Sequence, residues 1–297
     1  MEHDRLSDPP ETIADYACDV GENPLWHPDD ASLLWTDIPS GRLFQYKPAT
    51  KVSEIIYTGR PVGGFTIQQD GSLLLFKDRG TITCWTAGHE VVIVPEIPIE
   101  RDLCFNDVIA DPMGRVFCGT YAEGYKGRLY RLDTDGTLTK LLDDIGCSNG
   151  MAFTPDRTGL FYIDSFAQNI YRFDYDGTTS QLRNQRVFYS VPREHGFPDG
   201  CTVDEQGYLW FALWGGSAVV RLNPEGEVVG SISMPARNVT SLTFGGVELK
   251  TMFVTSEGAK TRSEPDLLAG AVFSANCRVS GKPEFRSRIA VNWDLVR

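Results

Sequence analysis

Long hydrophobic runs are missing from this sequence, and the longest candidate, residues 209–220, is interrupted by Gly215 and Gly216. A membrane-spanning helix needs about 20 apolar residues, so none is expected. The first twenty residues contain early acids and two prolines but lack the apolar stretch of a secretory signal. We therefore expect a cytoplasmic protein without a membrane partner.

Positively charged residues are outnumbered by acidic ones, and the cysteines and histidines lack the spacing of a metal site. Lys and Arg number 28 against 40 Asp and Glu, which gives a net charge of -12. Such a surface repels phosphate backbones, so a nucleic acid partner is not expected. The seven cysteines form no Cys-x-x-Cys pair and there are only four histidines. A disulfide framework, a zinc ribbon and a multi-histidine metal centre are therefore disfavoured.

A repeated phrase dominates what is present. A short apolar strand, a Pro/Asp/Gly turn, a second apolar strand and a Gly-led aromatic strand recur about every 40 to 50 residues. Clear copies begin at Leu25, Val108, Met151 and Cys201, and weaker copies begin near Phe65 and Ser241. This pattern predicts an all-β, six-bladed β-propeller, because the strands of the alternative, a β-sandwich, would not repeat in one phase.

The propeller is expected to be a single domain over residues 1–297, with residues 1–14 as a flexible N-terminal extension. The segment before the first repeat, residues 12–20, is expected to supply an outer strand to the last blade. Such a strand would close the ring and remove a free sheet edge.

Polar residues occupy one phase of the repeat. Counting back six residues from the turn of each clear repeat reaches a side chain with an oxygen atom, namely Glu22, Asn106, Asn149 and Asp199. The weak repeats carry small residues there, Gly63 and Thr240. Equal phase predicts convergence on the central axis, where two carboxylates and two amides would suit a divalent cation. Alternatively, Asn-Asp, Asn-Gly and Asp-Gly are simply turn dipeptides, although Glu22 is a poor turn residue.

Four phrases in order, GENPLWHP, FNDVIADPMGRVFCGT, SNGMAFTPD and PDGCTVDEQGYLWFALWGG, resemble the senescence marker protein-30/gluconolactonase family of six-bladed propellers. The resemblance covers about residues 15–275 and implies a divalent metal held by Glu22, Asn149 and Asp199. Asn106 would contact substrate beside the metal, with Asp107 as the following acid. The expected ion is Ca²⁺, and Mg²⁺, Mn²⁺, Zn²⁺ and Fe²⁺ are alternatives.

Two positions depart from the family phrases. Asn23 stands where the first phrase often has a second Gly, and Cys104 stands where many members carry an Arg. By the period of two along a strand, Cys104 should line the pocket on the same side as Asn106. Arg60 is then the candidate for a substitute cation.

The resemblance implies a metal-dependent lactonase, a carboxylic ester hydrolase that opens an aldonolactone to its aldonic acid. Asp199 is expected to serve as both ligand and general base. In the loop over residues 122–126, Glu123 and Tyr125 are expected to contact sugar hydroxyls. The expected partner is a small sugar lactone, and the protein itself is expected to be a monomer or weak homo-oligomer.

Other functions stay open on the sequence alone. One is an organophosphate or aryl-ester hydrolase on the same metal site, and another is a non-catalytic, calcium-binding regulatory propeller. Residues 146–150, GCSNG, also match the G-x-S-x-G motif of serine hydrolases. That motif needs a following helix, whereas a strand and turn are predicted after residue 150, so Ser148 is interpreted as a turn residue.

Overall fold

The computed structural model describes residues 6–122, 124, 126–258, 262–263 and 266–296. Within these residues, six antiparallel sheets of four strands each form the blades of a propeller, as predicted. The innermost strand of every blade contacts the innermost strands of the blades on either side, so the six blades form a closed ring.

The four strands of each blade follow one another from the axis outward. Blade 1 has β2 (Gly21–His27), β3 (Ser32–Asp37), β4 (Arg42–Lys47) and β5 (Val52–Thr58); blade 2 has β6 (Val62–Ile67), β7 (Leu73–Lys77), β8 (Ile82–Thr86) and β9 (His89–Val94). Blade 3 has β10 (Cys104–Ala110), β11 (Val116–Tyr121), β12 (Gly127–Leu132) and β13 (Leu138–Ile145); blade 4 has β14 (Ser148–Phe153), β15 (Gly159–Asp164), β16 (Asn169–Tyr175) and β17 (Leu182–Ser190). Blade 5 has β18 (Phe197–Val203), β19 (Leu209–Trp214), β20 (Ala218–Leu222) and β21 (Val228–Ser233); blade 6 has β22 (Val239–Gly245), β23 (Thr251–Ser256), β24 (Ala271–Asn276) and β1 (Glu11–Asp15).

Short 3₁₀ helices lie at Pro98–Glu100, Arg193–His195 and Trp293–Val296. None of the helices in the described ranges is long and apolar enough to cross a membrane. All seven cysteines are free thiols, and five of them are buried.

Packing between blades explains why the second strands are almost entirely buried. Every residue of β3 and β15 is buried, because both faces of these strands are covered by neighbouring blades. Trp35 on β3 and Phe44 on β4 stack with ring centroids 4.9 Å apart and are fully buried. In the outermost strands, such as β5, most residues are exposed or only partly buried. The core is therefore distributed between the blades rather than gathered at one centre.

The ring is closed by the N-terminal strand. β1 pairs with β24, with Glu11 opposite Ser274 and Asp15 opposite Ala271. Both Asp15 carboxylate oxygens lie 2.6 Å from nitrogen atoms of Arg262. The predicted outer strand is thus present, over residues 11–15. The expectation of a flexible extension over residues 1–14 is wrong for residues 11–14, because pairing there covers the edge of β24; residues 1–5 lie outside the described ranges.

A C-terminal segment that the sequence pattern did not indicate crosses the face of the ring where the inner strands end. It follows β24 and contacts all six blades through hydrogen bonds, one ion pair and one ring contact. In blade order, the contacts are Arg286 with Asp29, Ser287 with Gln69, Arg288 with Gly114, Phe285 with Phe153, Ser280 with Glu205 and Gly281 with Leu249.

A buried aspartate holds the turn after the inner strand of blade 5. Asp204 Oδ1 accepts hydrogen bonds from the backbone N–H groups of Gln206 and Tyr208, at 3.0 and 2.9 Å. Its Oδ2 accepts from Trp210 Nε1 at 2.9 Å and from Arg221 Nη2 at 2.6 Å. Asp204 is fully buried and Arg221 nearly so, and the carboxylate therefore balances a buried guanidinium as well as ordering the turn.

Replacing this carboxylate should destabilise the protein strongly. We expect Asp204→Ala to lower the free energy of unfolding by about 3 to 5 kcal/mol, because Arg221 would remain buried without a counter-charge. Urea denaturation measures the change. The matched control is Glu205→Ala at the exposed neighbouring position, expected to stay within about 0.5 kcal/mol of the wild type. Equal losses for the two variants would contradict this account of the turn.

Candidate metal centre and active site

Every inner strand carries a β-bulge near its first residues. At these points the inner strand has one more residue than the strand paired with it. The residues skipped by the pairing are 23–24, 63, 106–107, 149–150, 199–200 and 240. A bulge bends its strand and re-aims side chains. The repeated polar phase of the sequence is therefore a ring of bulges at one end of the central channel.

The Asn-Asp, Asn-Gly and Asp-Gly dipeptides lie inside strands, so the turn-dipeptide interpretation is wrong. Glycine follows Asn149 and Asp199 because the inner strands of adjacent blades come very close there. A Cβ atom on Gly150 would lie 2.6 Å from the backbone oxygen of Asp199. One on Gly200 would lie 2.0 Å from Ser241 Oγ. Close packing around the axis, and not a turn, requires these glycines.

The first blade departs from the expected equal phase. Glu22 is still paired, opposite Thr36, and the bulge begins only at Asn23, which has a φ of 47°. Asn23 is thus the register equivalent of Asn149 and Asp199. Counting from the turn lands one residue early because the first repeat has three residues between its bulge and Pro28, where the other clear repeats have four. The longer side chain of Glu22 nevertheless brings its carboxyl group into the electrostatic field of Asp199.

Buried carboxyl groups from different blades face one another at this end of the channel. Burial, followed by the negative charges of Asp107 and Asp199, raises the pKa of Glu22 well above its ordinary value. Burial, followed by the charges of Asp107 and Glu257, does the same to the pKa of Asp199. Burial raises the pKa of Asp107 to about 7. The site therefore brings acidic groups together where little water can screen their repulsion, which makes each of them harder to ionise.

Glu257 is a member of this cluster that the sequence reasoning missed. It follows β23 in the sixth blade, and its Oε2 accepts a hydrogen bond of 2.8 Å from Trp214 Nε1 in the fifth. Its negative charge acts on both Glu22 and Asp199. Its position directly after a second strand could have been noticed in the sequence. However, Glu257 belongs to one of the weak repeats and does not lie six residues before a turn, the position at which Glu22, Asn106, Asn149 and Asp199 were found.

The two amide side chains of the site form a connected network. Asn106 Nδ2 donates to Asn149 Oδ1 at 2.6 Å and to the backbone oxygen of Ser148 at 2.9 Å. Asn149 Nδ2 donates to Ser165 Oγ at 2.8 Å. Cys147 Sγ lies 3.6 Å from Asn149 Nδ2. The structure therefore brings Asn106 and Asn149 together as expected, on the inner strands of adjacent blades.

Cys104 lies further out than expected. It lines an open cavity of about 950 Å³ at the rim of blades 1 to 3, together with Tyr121 and Lys126, but the described lining does not include Asn106. Burial raises the pKa of the Cys104 thiol to about 12, so the thiol is neutral at physiological pH. The cavity lies on the same side of the ring as the bulges, because Cys104 begins β10.

Of the other residues expected to contact substrate, only Arg60 lies within the described ranges. Arg60 Nη2 lies 2.8 Å from Asp78 Oδ1, so its positive charge is balanced within the protein. Glu123 and Tyr125 lie outside the described residues. Ser148 is fully buried and begins strand β14 rather than preceding a helix, which removes the structural basis of the serine-hydrolase motif.

The donor atoms of the site suit a divalent cation. Glu22 and Asp199 supply carboxylates and Asn149 supplies an amide oxygen, all of them hard ligands. Asp107 Oδ1 is buried without a hydrogen-bond partner among the described residues, and a nearby cation would relieve the repulsion between these groups. No three His, Cys, Asp or Glu side chains of the described residues form a metal-binding group. The expected set has two carboxylates and relies on Asn149 for its third ligand.

Comparison with known proteins agrees with this architecture. Pentonolactonase XacC of Haloferax volcanii is 41% identical over 287 residues, which are 93% of this chain and 97% of that protein. Regucalcin of Oryctolagus cuniculus is 33% identical over 286 residues, covering 90% of this chain and 94% of that protein. The crystal structure of the calcium-binding protein regucalcin from Agrobacterium tumefaciens has a TM-score of 0.88 at 22% identity, covering 95% of this chain and 98% of that chain, and shows the same fold.

The family model for the SMP-30/gluconolactonase/LRE-like region matches residues 20–258, which span all six inner strands. The chain belongs to the SMP-30/gluconolactonase/LRE-like family.

Proposed function

We propose that the protein is a metal-dependent lactonase that opens an aldonolactone to the corresponding aldonic acid. The proposal is supported by the burial of Glu22 and Asp199 within each other's electrostatic field, beside inner strands whose Asn106 and Asn149 amides are hydrogen-bonded to each other. A 41% identical relative named as a pentonolactonase supports hydrolysis of a carboxylic ester in a sugar ring. The regucalcin relatives, of which the one from Agrobacterium tumefaciens is described as a calcium-binding protein, support a divalent cation, with Ca²⁺ as the expected ion.

Glu22, Asn149 and Asp199 would hold the cation. When bound, it would supply Lewis-acid chemistry by polarising the lactone carbonyl. The two carboxylates balance its charge, and the amide adds a neutral oxygen ligand. Mg²⁺, Mn²⁺, Zn²⁺ and Fe²⁺ remain alternatives to Ca²⁺, because carboxylate and amide oxygens accept several divalent ions.

Asp199 is the proposed general base. In the absence of a cation, burial and the charges of Asp107 and Glu257 raise the pKa of its carboxyl; beside a bound cation the group would be a carboxylate, the form that can accept a proton from water. The water oxygen adds to the carbonyl carbon as Asp199 takes a proton. The bond between that carbon and the ring oxygen then breaks, and the ring oxygen takes the proton from Asp199 to become the hydroxyl of the open-chain acid, which returns Asp199 to its carboxylate form.

Asn106 orients the substrate in this scheme. Its Nδ2 is committed to Ser148 and Asn149, so the carbonyl end of its amide is available to a substrate hydroxyl. Asp107 modulates the charge of the site from the same bulge. Cys104 lines the outer part of the substrate pocket. Arg60, Glu123 and Tyr125 complete the set of proposed substrate contacts.

Removal of divalent cations should abolish activity. We expect EDTA-treated protein to lose hydrolysis of five- and six-membered aldonolactones and to regain it with CaCl₂. A cation at about 100 times its dissociation constant stabilises the fold by about 2.7 kcal/mol, so Ca²⁺ should also raise the melting temperature.

Glu22→Gln should abolish the Ca²⁺-induced rise in melting temperature without lowering the melting temperature of the metal-free protein, because it removes one of several repelling carboxylates.

Undiminished turnover after complete metal removal would disprove the mechanism. Calcium binding without turnover of any lactone, aryl ester or organophosphate would favour the regulatory propeller. Turnover of only the last two substrate classes would favour the alternative hydrolase.

Replacing the proposed base should affect chemistry and not folding. We expect Asp199→Asn to lower kcat by about 10² to 10⁴ while the protein stays folded, since general-base assistance is worth about that much. The matched control is Ser148→Ala, expected to leave kcat almost unchanged. An inactive Ser148→Ala beside an active Asp199→Asn would reverse the assignment in favour of a serine nucleophile.

Substrate preference should respond to the residue at position 104. We expect Cys104→Arg to change the ratio of kcat/KM between five- and six-membered aldonolactones, because a bidentate cation would replace a neutral thiol at the rim. We expect Arg60→Ala to change the ratio less, because the Arg60 charge is already balanced by Asp78. Unchanged ratios for both variants would show that neither side chain shapes the pocket, without bearing on the cation.

A further inference from the structure

Ser165 lies immediately after β15 and is buried, in contact with the inner strands of blades 4 and 5. We propose that Ser165 is a positioning residue that determines which end of the Asn149 amide faces the candidate metal site. The inference rests on the proposed function, because it concerns the amide ligand of the proposed cation. It is carried by two hydrogen bonds and by the number of protons available to make them.

The Ser165 hydroxyl has one proton, and a backbone oxygen receives it. Ser165 Oγ lies 2.5 Å from the carbonyl oxygen of Pro198, and a carbonyl oxygen can only accept a hydrogen bond. Oγ is therefore the donor in that contact. Having donated its only proton, Oγ can only accept from its second neighbour, the Asn149 amide 2.8 Å away.

This restriction sets the orientation of Asn149. Only the NH₂ end of its amide can donate to Ser165, so the carbonyl end must point the other way, toward Asn106 and the channel. In the opposite orientation, Asn149 Oδ1 would face the lone pairs of Ser165 Oγ, and its NH₂ group would face the site. An NH₂ group cannot bind a cation, whereas a carbonyl oxygen can.

The same hydroxyl connects two proposed ligands in different blades. Asn149 lies on β14 in blade 4, while Pro198 directly precedes Asp199 on β18 in blade 5. Ser165 therefore holds the amide ligand relative to the backbone that carries the carboxylate ligand. Side chains that hold metal ligands in this way commonly change metal affinity 10- to 100-fold when removed.

Calcium binding to the metal-free full-length protein, measured by isothermal titration calorimetry, tests the proposal without relying on turnover. We expect Ser165→Ala to raise the Kd for Ca²⁺ by about 10- to 100-fold, since the NH₂ end of the amide would lose its acceptor and only the hydrogen bond from Asn106 would still hold the amide. Ser165→Thr keeps the hydroxyl and should retain most of the wild-type affinity. The matched control is Ser148→Ala, which also removes a buried hydroxyl in blade 4, but one that hydrogen-bonds none of the site residues.

The melting temperature of each metal-free variant separates positioning from folding. An affinity loss in Ser165→Ala, restored by Thr and absent from Ser148→Ala, supports the proposal. Unchanged affinity in Ser165→Ala would overturn it while leaving the proposed function standing. A loss that Thr fails to restore, or one that matches the loss in Ser148→Ala, would assign Ser165 a merely structural role. If the wild type bound no Ca²⁺, Mg²⁺, Mn²⁺, Zn²⁺ or Fe²⁺, the proposed function itself would fail and this inference with it.

Discussion

Glu22, Asp107 and Asp199 bring carboxyl groups from three inner strands to one end of the central channel, where they are buried in each other's electrostatic field. Such an arrangement is unfavourable unless the charges are neutralised by protons or by a cation. Folding must therefore supply enough stability elsewhere to hold like charges together. The closed ring meets this requirement, since each carboxyl group is attached to a different blade and none can retreat without disturbing a neighbour.

The backbone of the inner strands makes this convergence possible. A bulge in every blade interrupts regular pairing at the same depth. In blades 3 to 5 the residues of the bulge include polar side chains, whereas the remainder of each inner strand is mostly apolar. The close approach of adjacent inner strands demands Gly150 and Gly200, since any side chain at either position would collide with the next blade. The same proximity lets Ser165 in one blade reach Pro198 in the next. Tight packing around the axis and chemical organisation of the site thus have a common origin.

Two chain termini stabilise the ring from different sides. β1 completes the last blade and leaves β24 without a free edge, while the segment after β24 crosses the face opposite the site and contacts every blade. Phe285 in that segment packs against Phe153, beneath the channel. The last blade is consequently closed at its outer edge by β1. The inner strands are held at the ends opposite the site by the C-terminal segment. Glu284 and Phe285 of this segment line the same cavity as Asp107, so the segment also closes the channel below the site.

Periodicity along the chain was sufficient to predict the six blades and to select Asn106, Asn149 and Asp199, because strand alternation and turn residues are local signals that repeat with each blade. It misplaced Glu22 by one register step, since the first repeat has one residue fewer between its bulge and its turn than the other clear repeats. Glu257 and Ser165 were beyond its reach. Their roles arise from contacts between neighbouring blades and from the charge and hydrogen-bond balance of a buried site. Those quantities are set by atoms far apart in sequence, and only the closed tertiary structure brings them together.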